Sequence, residues 1–560
     1  MIKLRTLIKR LAKQQQLLLL LFMVLQQLLM WENTTVFATS TQQRINPYEK
    51  ISKLQLKNRW WMVGGEHNKR GNYSGDFVQE MWLTQNVNHF IYDLLEEGNR
   101  NNSSQQKWMM RYYVNSEHYE PGGPIFIMVG GEWEIQPYLL SQGHFNDMAR
   151  QHSAVMFYTE HRFYGKSWPK SATSLDDLQY LNVLQALEDL RYFIKYQKSS
   201  RNDLSNAHVV LVGASYSGSM VAWFMQLYPH EANVAWASSA PLLAKMDFYE
   251  FMTLTMEVIQ QKGGVECSKG LEEGFEELHK VLSTTASKEL LYELQTCSDF
   301  DTSSELDISA FFNALGNYFA AVAQLSGKSV TKFCQQLTKK NTKPLEALVK
   351  HIKETFLPHS EDEYGYSKGH GQAWCLDLSF EGTKLLFSEY GDVYNGDRCW
   401  FYQTCHEFGW FATTHHPSGV NDVTHKSVFG GQVSLKFFQN LCQQVFQSGH
   451  SGRRRRKTAT MATPNMANDG LTLQELYSRA EKTNHMFGGL TNISQNVIFT
   501  HGRLDPWRAV GMQHGRNVLL LDGYGHVEDL GSINLQDTVE MNVAKLKVAA
   551  FINKALRDVN

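Results

Sequence analysis

The chain has no cysteine before residue 267 or after residue 442, and none of its seven cysteines are paired at C-x-x-C spacing. That absence argues against a thiolate metal site. Charge of one sign is also missing. Lys plus Arg number 54 and Asp plus Glu 56, for a net charge of -2. There is therefore no global electrostatic case for binding nucleic acid or an anionic membrane. Past the first 38 residues no apolar run reaches the ~20 residues needed to span a bilayer, and no internal repeat divides the sequence. What is present is core material: 42% hydrophobic and 12% aromatic residues, with 13 Trp among 560 residues. This is a globular composition, long enough for one large domain with an insertion or for two to four domains of about 150 residues.

The N-terminus reads as an address. Lys3, Arg5, Lys9, Arg10 and Lys13 precede an apolar stretch from Leu17 to Trp31, interrupted at Gln26 and Gln27, and Val36-Phe37-Ala38 is similar to a cleavage site. Residues 1–38 are expected to be a secretory signal rather than an anchor. The cysteines, Cys267, Cys297, Cys334, Cys375, Cys399, Cys405 and Cys442, agree with an oxidising compartment. Their odd number leaves at least one thiol free or paired outside the chain. Sequons at Asn72, Asn101, Asn102 and Asn492 mark surface positions if glycosylated. Arg453 to Lys457 is a basic run in a polar stretch. It reads first as a solvated loop and second as a site for a basic-specific processing protease.

From about Gly75 to Leu242 strand and helix signals alternate. Strands are expected at 108–114, 124–129, 154–158 and 208–212, and helices at 175–196 and 217–227. From 243 to 484 helical patterns dominate (271–282, 308–325, 345–356), and all the cysteines fall there. Alternation resumes with strands at 496–500 and 517–521 and a closing helix over 536–556. The expected architecture is α/β, with a largely parallel sheet. Its core is formed by 39–242 and 485–560, split by a disulfide-stapled helical cap at 243–484.

Gly213-Ala214-Ser215-Tyr216-Ser217-Gly218 follows the apolar run at 208–212 directly. A buried strand running into a serine flanked by small residues, then a helix, reads as a nucleophile elbow. Ser217 stands where the usual pattern has its second Gly. Asp505 and His526 each follow a later strand, and each alone is also plausible as part of a turn. Ser, Asp, His is the chain order of the α/β-hydrolase triad. Active sites of such sheets gather at the carboxyl ends of strands. Ser215 would be the nucleophile and His526 its base and later acid. Asp505 would hold the imidazole tautomer. The N–H of Tyr216 and one from Gly130-Gly131-Glu132, at Gly131, would form the oxyanion hole.

These residues place the chain beside a family. Gly122 to Glu132 and Glu160-His161-Arg162-Phe163-Tyr164-Gly165-Lys166-Ser167 resemble blocks of the prolylcarboxypeptidase and dipeptidyl-peptidase II family of serine peptidases. So do Gly213 to Gly218, Tyr402-Gln403-Thr404-Cys405-His406-Glu407-Phe408-Gly409, Gly502 to Trp507 and Gly523 to Leu530. Within the family the chain is most similar to the thymus-specific serine protease branch. The resemblance implies Ser215, Asp505 and His526 as the triad, no cofactor, and hydrolysis next to proline near a peptide terminus. It also implies a cap that favours short peptides and the pairs Cys267–Cys334, Cys297–Cys375 and Cys405–Cys442, with Cys399 unpaired. Trp133-Glu134 and Val527 depart from the family pattern. Carboxypeptidase and dipeptidyl-peptidase action both stay open, as do lysosome and extracellular space, and dimerisation. An esterase on the same fold and a non-catalytic binding protein are the competing readings.

Overall fold

The computed structural model describes residues 43–48, 51, 77–90, 106–171, 173–324, 328–357, 374–388, 396–415, 428–446 and 471–557. The expected N-terminal signal, residues 1–38, together with Asn72, Asn101, Asn102 and the 453–457 run, lies outside the described residues.

Eight strands build one sheet. They are β1 (Val78–Asn86), β2 (Lys107–Asn115), β3 (Ile125–Val129), β4 (Val155–Thr159), β5 (Val209–Ala214), β6 (Val234–Ser238), β7 (Val497–Gly502) and β8 (Val518–Leu521). Their spatial order is 1-2-4-3-5-6-7-8. β2 is antiparallel to both its neighbours, and every other pairing is parallel. Every residue of β3, β4, β5, β6 and β7 is buried, as a parallel sheet covered on both faces requires. The two-residue period sorts their side chains. Ile125, Ile127, Val209 and Leu211 face one cluster, and Phe126, Met128, Val210 and Val212 face the other.

Among the helices are α1 (His144–Gln151), α2 (Val183–Ser200), α3 (Tyr216–Leu227), α4 (Tyr249–Gly263), α5 (Val265–Leu282), α6 (Glu305–Ala323), α7 (Pro344–Phe356), α8 (Gly396–Gln403), α9 (Leu435–Val445), α10 (Leu473–Phe487) and α11 (Val539–Arg557). α2 and α3 cover one face of the sheet through Leu187, Leu190, Met220 and Phe224. α1 and α11 cover the other through Phe145, Met148, Val548 and Ile552. The sequence pattern predicts one helix over 175–196. The structure instead has a turn of helix at Leu175–Leu178 and then α2. The reason is two competing N-caps. Ser174 Oγ accepts from Asp177 N at 3.2 Å, and Asn182 Oδ1 accepts from Gln185 N at 3.0 Å.

Helices α4 to α10 all lie between β6 and β7 in the chain. Three disulfides tie this stretch: Cys267–Cys334, Cys297–Cys375 and Cys405–Cys442, with Cα separations of 5.2, 4.8 and 5.9 Å. Cys399 is free and buried. Two short parallel pairings, Lys245–Asp247 with Gly409–Phe411 and Gln43–Ile45 with Trp374–Leu376, add to its frame. No helix among the described residues is long and apolar enough to cross a membrane.

Candidate active site

Ser215 joins β5 to α3 with φ 54 and ψ -129. Such a conformation is strained for any residue but glycine, and persists where the surroundings over-determine it. Space is the constraint. A Cβ on Gly213 would come within 2.1 Å of Ser217 O, and one on Gly218 within 2.9 Å of Ser238 O. Ser217 fits where a glycine is usual because its hydroxyl is put to use. It donates to Ala214 O and accepts from Ala214 N, both at 2.9 Å. As the first residue of α3, Tyr216 has an N–H with no intrahelical acceptor. Across from it, Gly130 N donates to Thr159 O at 2.9 Å. The N–H of Gly131 has no hydrogen-bond partner among the described residues. A Cβ there would strike the Trp133 ring at 2.5 Å.

Asp505 follows β7 and is fully buried, while His526 follows β8 and is partly buried. His526 Nδ1 lies 2.8 Å from Asp505 Oδ2, and Asp505 Oδ1 accepts from Trp507 N at 3.0 Å. Burial alone would raise the Asp505 carboxyl, but the charge and hydrogen bond of His526, with His501 and the Trp507 N–H, hold it below the ordinary range. An ionised carboxylate at Nδ1 fixes the proton there and leaves Nε2 as the acceptor, which is the tautomer a general base needs. His501, on β7 and wholly buried, is pushed down to about 4 by burial and stays neutral beside this pair.

The end of β6, a strand too short and alanine-rich to stand out in the sequence, links the two halves. Ser215 N donates to Ser238 O at 2.9 Å, and Ser238 Oγ donates to Asp529 Oδ1 at 2.6 Å. Val527, next to His526, adopts φ 61, unusual for a β-branched residue. Its N–H donates to Ser239 Oγ at 3.0 Å. Two consecutive serines thus hold the nucleophile turn and the histidine loop together, and no motif pointed to them.

Each residue of Glu160-His161-Arg162 anchors a different part of this frame. Glu160 accepts from Arg111 Nε at 3.1 Å and from Ile135 N at 3.1 Å, which fixes the loop after Gly131. Arg162 forks onto Asp189 of α2 at 2.6 and 2.8 Å. His161 is pushed down to about 4 by burial and is neutral. Its Nδ1 faces Arg162 O at 2.7 Å and must carry the proton, so Nε2 accepts from Tyr216 Oη at 3.1 Å. Tyr216 Oη in turn accepts from Gln403 Nε2 at 3.1 Å, and Gln403 Oε1 accepts from Tyr164 Oη at 2.7 Å. Glu407 completes the group: Oε1 accepts from Val183 N at 2.9 Å, and burial pushes its carboxyl up to about 7. A residue of the helical stretch is therefore bonded to the residue directly after Ser215.

A chain of aromatic rings runs from Tyr216 to His526. Tyr216 lies 5.5 Å from both Trp400 and Phe408, Phe408 4.4 Å from Trp410, Trp410 5.7 Å from Trp507, and Trp507 6.5 Å from His526. Trp133 and Glu134, which depart from the family pattern, both have structural partners. Trp133 Nε1 donates to Tyr158 Oη at 2.8 Å, and Glu134 accepts from Arg111 at 3.1 Å. Asn492 is exposed. Among the described residues no group of three His, Cys, Asp or Glu could hold a metal ion.

A sheet in the order 1-2-4-3-5-6-7-8 with β2 alone reversed defines the α/β-hydrolase class. Within it, the chain belongs to the serine carboxypeptidase S28 family, whose model matches residues 98–548, and is a serine-type peptidase. A candidate serine protease of Caenorhabditis elegans is 27% identical over 85% of this chain and 88% of its own. The thymus-specific serine protease of Mus musculus is 26% identical over 87% and 90%. The lysosomal Pro-X carboxypeptidase of Bos taurus is 25% identical over 85% and 88%.

Proposed function

We propose that this peptidase is an exopeptidase of the secretory pathway, lysosomal or extracellular, that cleaves next to proline near the terminus of short peptides. The observation that carries the chemistry is the 2.8 Å contact between His526 Nδ1 and buried Asp505, on the strand-end face where Ser215 sits at positive φ. His526 Nε2 takes the Ser215 proton as Oγ attacks the scissile carbonyl. The N–H groups of Tyr216 and Gly131 receive the oxyanion. The imidazolium then protonates the leaving amine, and an acyl-enzyme forms on Ser215. Water, activated by the same nitrogen, releases the acyl group. No cofactor enters this sequence.

Proline specificity draws on the partly buried rings of Trp400 and Trp507 at the edge of the aromatic cluster, which offer flat apolar faces to a pyrrolidine ring, and on the name of the Pro-X carboxypeptidase relative. We take residues 243–484 as the cap over a core of 39–242 and 485–560. Such a cap would narrow access to peptide ends.

The test uses the secreted protein beside Ser215→Ala on two peptide sets at pH 5 and pH 7.5. One set has a blocked N-terminus and a C-terminal Pro-X bond, the other a free N-terminal X-Pro dipeptide. Turnover that disappears in Ser215→Ala supports the assignment and gives its direction. Turnover that survives it, or cleavage of esters alone, overturns it.

A further inference from the structure

One buried side chain beside the proposed triad has no partner. His501, the fifth residue of β7, is 1% exposed, and neither of its ring nitrogens has a hydrogen-bond partner among the described residues. Buried polar atoms are almost always paired, and leaving them unpaired costs stability. The strand pattern asks for an apolar residue at this position. Val497 and Phe499 point into the cluster shared with α3. Ile498 and Thr500 point the other way, and Thr500 Oγ accepts from Trp236 Nε1 at 2.9 Å. His501 continues the first row. A polar ring in that row, four residues before Asp505, breaks a local rule where the chemistry sits.

The ring is held still. A Cβ on Gly511 would come within 2.5 Å of its Cε1, 2.6 Å of its Nε2 and 2.7 Å of Ala240 O, so the loop closes over that edge only as glycine. Leu242 N pins the same loop by donating to Val510 O at 2.7 Å. Three charged or titratable groups face the ring, namely Asp505, His526 and Arg508, and Asp505 acts on it most strongly. A neutral imidazole carries one N–H and one lone pair. Beside a buried carboxylate the tautomer with its N–H toward the charge is favoured.

Given the triad proposed for Ser215, Asp505 and His526, on which this rests, we propose that His501 is a positioning residue: its N–H shares the charge of Asp505 and so eases the carboxylate's hold on the proton that His526 carries. Asp505 already accepts from Trp507 N and faces His526 Nδ1. A third dipole on that carboxylate favours the imidazolium form of His526 less, and the base is free at a lower pH. An apolar side chain at 501 would leave Asp505 to His526 and Trp507, and the base would stay protonated to a higher pH.

The test is the rate at which diisopropyl fluorophosphate modifies Ser215 in the full chain, from about pH 4.5 to 8, with the site read by mass spectrometry. Ser215 Oγ displaces fluoride from phosphorus as His526 takes the hydroxyl proton, so no peptide substrate has to be known. The acid limb of this profile reports the free base. His501→Leu should move the limb up by about half to one pH unit, a rate about three- to tenfold lower at pH 5 with the rate at pH 8 unchanged. The melting temperature should hold or rise, because two unpaired polar atoms leave the core. His501→Met repeats the apolar arm in case leucine packs badly. His501→Asn or His501→Gln, which keep an N–H donor, should bring the limb back toward the parent. Arg508 and Glu528, the other charges near the pair, are common to all these proteins. Superimposed limbs, an equal loss at every pH, or a limb that neither amide restores would overturn the proposal and leave the triad standing. A reagent that labels the folded chain elsewhere and spares Ser215 would overturn the triad and the proposal with it.

Discussion

The sheet and the helical stretch between β6 and β7 are held together by different means. The sheet contains no cysteine. Its five central strands are buried throughout, and their ladders, with apolar clusters on both faces, suffice to hold it. The helical stretch carries all three disulfides, which link residues 67, 78 and 37 positions apart. Helices joined by long connections have no ladder to set their mutual positions, and covalent links that close loops of this length compensate by restricting the unfolded chain. The chemistry divides the same way: the proposed triad stands on the sheet, and the stretch reaches in through Gln403 and an aromatic wall.

That contrast can be broken from either side. Ser215→Ala, or Asp505→Asn, should lower kcat by about 10⁴-fold, as loss of a triad member does elsewhere, with the melting temperature nearly unchanged. A loss below about tenfold would remove these residues from the chemistry. Next, Cys405→Ser with Cys442→Ser should cost about 2–4 kcal/mol. Hydrogen exchange should then show α8 and α9 opening before β3 to β7. Simultaneous opening of both regions would mean that they form a single cooperative unit.

Glu407 sharpens the comparison through pH. Burial lifts its carboxyl from an ordinary 4.5 to about 7, so the folded protein holds this proton more tightly than the unfolded chain does. The stabilisation is complete below about pH 4.5 and is lost as pH rises through about 7, by about 3 kcal/mol. Glu407→Gln should remove that slope, measured as the difference between the two proteins' denaturant midpoints across pH 4 to 8. Parallel curves would contradict it. The smallest effect is expected at the junction itself. Gln403→Leu leaves Tyr164 Oη without its acceptor and should cost about 1–3 kcal/mol. If the bond to Tyr216 also positions the oxyanion donor, kcat should fall with KM little changed. A melting shift with unaltered kcat would make the link purely structural.

The sheet was largely legible because fully buried parallel strands leave short apolar runs, and those at 124–129, 154–158, 208–212 and 496–500 fall within two residues of β3, β4, β5 and β7 at either end. β1 escaped because most of its residues are exposed and it does not alternate cleanly. β6 escaped because VAWAS is brief. Ser215, Asp505 and His526 could be picked out by their places after strands. Ser238, Ser239 and the Tyr216–Gln403 bond could not, because they depend on which strand ends become neighbours. The 402–409 block was visible only as a resemblance. Its bonds to Tyr216 and Val183 give those residues a physical task.

The unpaired cysteine has a practical use. Cys399 is wholly enclosed, and burial keeps its thiol protonated, with the pKa pushed well up. A thiol reagent can reach it only when the surrounding fold opens. In otherwise untouched protein, the labelling rate at this single atom is a built-in clock for unfolding, readable without added probes or engineered residues.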